Sequence, residues 1–92
     1  MLEINSSSAV NVTIPTNTTV GFAVGTEIEV VRYGTGTVTI KAATGVTVKY
    51  DANGTATSVA GSSVSVPIKS QYTSVVLKKM ATNEWLVQGA IG

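Results

Sequence analysis

Ninety-two residues carry 43% hydrophobic and 12% charged side chains, with a net charge of +1. Histidine and cysteine are both absent, which excludes disulfides, metal sites built on thiolate or imidazole, and a Ser-His-Asp triad. A charge this small does not steer a chain to nucleic acid or anionic lipid, and no run approaches the ~20 apolar residues of a membrane helix.

The opening, Met1-Leu2-Glu3-Ile4-Asn5, has no basic segment and no long apolar run, so it does not read as a signal peptide. It begins in strand-like alternation, as a module excised from a longer chain would. Leu2–Asn5 and Val10–Ile14 alternate on either side of Ser6-Ser7-Ser8, which predicts a hairpin through the serines. Pro15 ends the second run because it cannot donate to a sheet ladder. Thr16–Thr19 is a polar connector. Val20–Val24 is a short apolar segment whose Phe22 is expected to be buried.

Thr26–Tyr33 and Thr37–Lys41 alternate around Gly34-Thr35-Gly36, the signature of a hairpin with a short Gly-bearing loop. A two-residue loop would set Val30 against Thr39 and mix the faces. A three-residue loop sets Val30 against Ile40, Ile28 against Ala42 and Glu29 against Lys41, with Gly36 supplying a positive φ.

Ala43-Thr44-Gly45 is a turn before Val46–Tyr50. Asn53-Gly54 predicts a type I′ two-residue loop, which sets Val48 opposite Val59 and Tyr50 opposite Thr57. Gly61-Ser62 is a further break. Beyond it Val64, Val66 and Ile68 share one face, and Pro67 marks an edge or irregular strand.

Tyr72–Met80 and Trp85–Gly89 form the last unit. An odd-length loop pairs Leu77 with Val87 and Lys79 with Trp85, whereas an even one pairs Met80 with Trp85. The odd loop matches apolar with apolar and lays a lysine stem on the indole. No window carries the 3.6-residue period of a helix. The expected fold is all-β, a small antiparallel sandwich or barrel of hairpins forming one domain over residues 1–92.

So small a domain buries only about 60–65% of its unfolded surface. Val75-Val76-Leu77 and Trp85-Leu86-Val87 put apolar side chains on both faces of their strands, which implies cover on both sides. The second cover is expected from a copy of the chain, making it a homo-oligomer. Phe22, Ile28, Val30, Ile40, Val75, Leu77, Trp85 and Val87 are the expected core or subunit interface.

Few residues carry chemistry. Glu27 and Glu29, two apart on a strand, lie roughly 6.5–7 Å apart on one face. That overlaps the carboxyl spacing of inverting glycosidases, but the face is expected to be wet, with no apolar pocket to raise one pKa. Ser70 with Lys69, or Ser74 with Lys78, are the Ser–Lys dyads the chain could form. Gly34-Thr35-Gly36 lacks the further glycine, lysine and helix start of a phosphate loop, so it is a turn. Three Asn-x-Thr triplets, at Asn11, Asn17 and Asn53, read as chance matches to the glycosylation sequon. Lys78 and Lys79 read as edge protection. Trp85, Tyr33, Tyr50 and Tyr72 are the candidates for stacking on a sugar ring. Tyr33 and Tyr50, beside the two loop tips, are the candidate receptor contacts, while Trp85 reads as core or interface. No catalytic, cofactor-binding or metal residue is assigned, and no enzyme activity is expected.

Phe22-Ala23-Val24-Gly25-Thr26, Tyr33-Gly34-Thr35-Gly36 and Thr82-Asn83-Glu84-Trp85-Leu86 are landmarks within Val12–Val48 and Lys69–Gly89. With them, nearly the whole chain resembles a β-rich module of tailed-bacteriophage virion proteins, found near the C-terminal ends of tail fibres and related structural proteins. Ala23 stands where that pattern has Pro, and Asp51–Val66 is longer than usual. The resemblance implies a homotrimeric structural module of a longer virion protein, made in the host cytoplasm and carried on the particle. Its partners would be itself, other virion proteins and a host-surface glycan. A free-standing carbohydrate-binding module and a capsid decoration protein are the alternatives.

Overall fold

Alternating Val and Thr side chains suit a pleated, half-buried surface. In the computed structural model, which describes residues 1–52 and 54–92, they build nine strands in two sheets. One sheet holds β1 (Leu2–Ile4), β3 (Glu27–Arg32), β5 (Thr47–Ala52), β6 (Thr55–Ala60), β8 (Thr73–Ala81) and β9 (Glu84–Gly89), in the order β1-β3-β8-β9-β5-β6. The other holds β2 (Val10–Ile14), β4 (Val38–Ala42) and β7 (Val66–Pro67), in the order β2-β4-β7. A 3-10 turn spans Gly61–Ser63. The chain is all-β, as expected, but its sheets are mixed rather than antiparallel: β1 with β3, β2 with β4 and β5 with β9 pair in parallel.

Its core lies between the sheets. Val30, Val48, Val75 and Val87 of the larger sheet and Val38, Ile40 and Val66 of the smaller are fully buried. Leu77 and Trp85 join them, while Phe22 and Ile28 are half-buried at the margin. Residues expected at a core or subunit interface are thus packed within one chain. The inner faces of the Val75–Leu77 and Trp85–Val87 ribbons are covered by the chain's own second sheet. Val76 and Leu86 are half-buried on the outer face.

Two of the predicted hairpins are not hairpins. The runs flanking Gly34–Gly36 lie in different sheets, so Val30 pairs with Leu2 and Val75 rather than Ile40. Glu29 pairs with Val76, not Lys41. Gly36 is not among the glycines at positive φ. The strands around Ser6–Ser8 part company in the same way. Alternation fixes which side chains point inward. It does not decide whether two strands lie side by side or face each other across the core, and here they face.

Each segment is therefore an arch, one strand in each sheet joined by a short apex. The first arch lies on the second in parallel, each residue i beside residue i + 28: Leu2 on Val30, Val10 on Val38, Ile14 on Ala42. The register runs unbroken through the apices, where Gly36 N donates to Ser6 O at 2.8 Å. Apex on apex is close, and this is why Gly34 and Gly36 are glycines: a Cβ on either would run into the backbone of Ser6 or Ser8.

The local pairings follow expectation. β5 and β6 set Val48 opposite Val59 and Tyr50 opposite Thr57, with Ala52 opposite Thr55. Gly54 has φ 79°, while the Asn53 half of that turn lies outside the described residues. β8 and β9 pair Leu77 with Val87 and Lys79 with Trp85. Val64, Val66 and Ile68 are all buried, and Pro67 sits on the edge strand β7.

Candidate functional site

Strands β3, β5 and β9 run the same way, and β8 runs against them. The end of β3 and the turn before β8 therefore lie side by side at the apex end of the sandwich. There Tyr33, just past β3, meets Tyr72, just before β8. Their rings stand edge to face, 5.4 Å between centroids and 72° apart. Both are exposed, Tyr33 by 47% and Tyr72 by 69%.

Tyr72 is held rather than loose. Its backbone N–H donates to Arg32 O at 2.6 Å. Thr73 Oγ1 donates to Ser70 O at 2.6 Å, and Gln71 Nε2 donates to Tyr33 O at 3.1 Å. Within this frame Tyr72 takes φ 66°, a left-handed conformation that is uncommon and costly for a bulky residue. Packing the ring inward would be the ordinary choice for an aromatic. Here the ring of this left-handed residue stays outside, 69% exposed. The result is a V-shaped pair with open π faces and two phenol hydroxyls, chemistry suited to the apolar face of a sugar ring or to an aromatic or cationic side chain.

Tyr50, the other predicted contact, does not join this patch. It lies in the inner row with Val87 and Thr57, half-buried against the core. Sequence reasoning included Tyr72 among four aromatics without pairing it to Tyr33. The contact spans 39 positions, and no local pattern announces it.

Opposite the apex end sits a second set of polar contacts, and it corrects the reading of Lys79. β8 is a central strand, and Lys79 is 2% exposed on its inner face, so it protects no edge. Its Nζ donates to Asn17 Oδ1 and to Phe22 O, each at 2.5 Å. Asn83 Oδ1 accepts from Asn17 N at 2.7 Å. These bonds bind the connector between β2 and β3 onto the β8–β9 turn and hold Phe22 edge-on to Trp85, 5.6 Å between centroids. Arg32 also turns inward. It donates to Thr35 O at 2.9 Å and to Ile68 O at 3.3 Å, bridging the sheets near the apex.

Other chemical candidates are kept apart. Glu27 and Glu29 are exposed on the outer face, opposite Lys78 and Val76. Ser74 Oγ donates to Glu29 at 3.2 Å. Four residues along a strand set Ser74 about 13 Å from Lys78, so the two form no dyad. Ser70 is exposed in the turn before β8, its backbone N–H and C=O both bonded to the Thr73 hydroxyl. An apolar cleft of about 180 Å³ opens between β1 and β2, lined by Leu2, Val12, Ile14, Phe22, Leu77 and Trp85 among others. A shallower depression of about 310 Å³ crosses β5 and β6 beside Lys49, Asp51 and Leu86.

No family model, no curated protein and no solved structure matches the chain.

Proposed function

We propose that the chain is a non-enzymatic structural module of a tailed-phage virion, part of a tail fibre or related appendage. It assembles as a homotrimer and turns its apex end toward the host surface. The resemblance over Val12–Val48 and Lys69–Gly89 motivates the reading. One observation supports it most: the molecule is polarised. The apex end displays the exposed Tyr33–Tyr72 pair, while exposed Val24 and Met80 flank the bond from Gly25 N to Lys79 O at the opposite end. A bearing end and a displaying end are what a terminal module of an appendage needs.

Light scattering tests the assembly. A trimer has three times the 9.4 kDa mass of one chain, and a single-chain mass across the accessible concentration range overturns it. Binding to host cells rather than to purified capsids separates an appendage from a decoration protein.

A carbohydrate-binding role is the second reading, favoured by the Tyr33–Tyr72 geometry. A glycan array that registers hits for the native chain and loses them in Tyr33→Ala and Tyr72→Ala supports it. An array without hits removes it.

A further inference from the structure

The two arches differ at their apices. In the second, Gly36 N donates upward to Ser6 O at 2.8 Å and Gly34 N to Ile4 O at 3.2 Å. By the 28-residue register, Ser8 N–H is the counterpart of Gly36 N–H. Among the described residues no arch lies above it. Instead it donates to Ser6 Oγ at 3.1 Å, and that hydroxyl donates to Ser8 O at 3.0 Å. A Cβ at Gly34 would point into Ser6. By the same register, the Cβ of Ser6 points to the free side, where a third arch would sit.

We propose that Ser6-Ser7-Ser8 is a cap that ends the stack. The Ser6 hydroxyl supplies within its own turn the hydrogen bond that another arch would supply from above, as serine side chains do when they compete with backbone partners. The Cβ atoms of Ser6 and Ser8 then occupy the space that Gly34 and Gly36 leave open below. β1 and β2 are edge strands of their sheets, and an unprotected edge is a template for another chain. The cap confines arch stacking to a single chain, so copies must join through other surfaces. This inference stands apart from the virion reading, because it rests on the arches alone.

The test uses four variants of the full chain. Ser6→Gly/Ser8→Gly gives the first apex the pattern of the second. Its weight-average mass is expected to climb with concentration beyond that of the native chain. Adding Leu2→Lys, which puts a charge in the row an incoming arch would cover, is expected to restore the native profile. Ser6→Ala should speed amide exchange at Ser8 about fivefold, the equivalent of one hydrogen bond worth ~1 kcal/mol, and Ser6→Thr should keep the native rate. A folded double-glycine variant with the native mass profile overturns the proposal. So does an unchanged Ser8 exchange rate in Ser6→Ala, a measurement that decides the matter if the glycine variant fails to fold.

Discussion

Replacing Gly34 by alanine tests the stacked arches directly. The new Cβ would fall on the Ser6 backbone, with no flexible side chain to yield. Relief requires the first apex to lift from the second. That breaks the bonds from Gly34 N to Ile4 O and from Gly36 N to Ser6 O, about 1 kcal/mol each. The strain left in the packed strands below adds about 1–3 kcal/mol. The sum is about 3–5 kcal/mol, against the roughly 5–14 kcal/mol expected for a domain of this length. Urea unfolding followed through the fluorescence of buried Trp85 should show the midpoint fall by about 3–5 M, taking a slope near 1 kcal/mol per molar. Gly45 is the control: it has φ 95° and open space around its would-be Cβ. Gly45→Ala is therefore expected to cost only about 1–2 kcal/mol of backbone strain. In a simple hairpin Gly34 would tolerate alanine, so a Gly34→Ala chain within about 0.5 kcal/mol of the native one refutes the arches.

Lys79→Ala should cost about 2–4 kcal/mol by thermal unfolding, because it leaves Asn17 Oδ1 and Phe22 O without their donor, and the 15–26 connector should show the largest amide shift changes. Tyr72→Gly removes the left-handed strain together with the ring contact, two terms of about 1–2 kcal/mol with opposite sign. Stability should stay within about 1 kcal/mol while surface attachment is lost, a combination that a merely structural tyrosine would not produce. Glu84→Gln, which breaks the 3.3 Å pair with Lys49 at the surface, should change the unfolding free energy by less than about 1 kcal/mol and remove little salt dependence.

Inward and outward positions were legible because alternation reports them directly: Val48, Val75, Leu77 and Val87 all face the core. Registers closed by short turns were legible too, as in Leu77 with Val87 and Val48 with Val59. The arches were not, since an alternating pair looks the same whether its strands share a ladder or a core. A trace was there to find. Val10, Val12 and Ile14 recur as Val38, Ile40 and Ala42, with Ser6 and Ser8 matched to Gly34 and Gly36. Lys79 falls in register with Trp85, an interior row, yet a lysine in that run reads as an edge guard. Its charge suggested the surface, while its row belonged to the interior. The Tyr33–Tyr72 pair depends on how sheet order folds distant segments together, and no spacing encodes that.

The inward turn of Lys79 and Arg32 changes what the outside of this molecule is. Counted along the chain, six basic residues outnumber five acidic ones. Lys79 is sealed in and Arg32 is committed to carbonyls near the apex. A neighbour touching the surface therefore meets four lysines, Lys41, Lys49, Lys69 and Lys78, and the half-buried Arg32, against five carboxylates. A weakly cationic polymer thus folds into a particle whose accessible side-chain charges balance, and any partner meets that balanced skin.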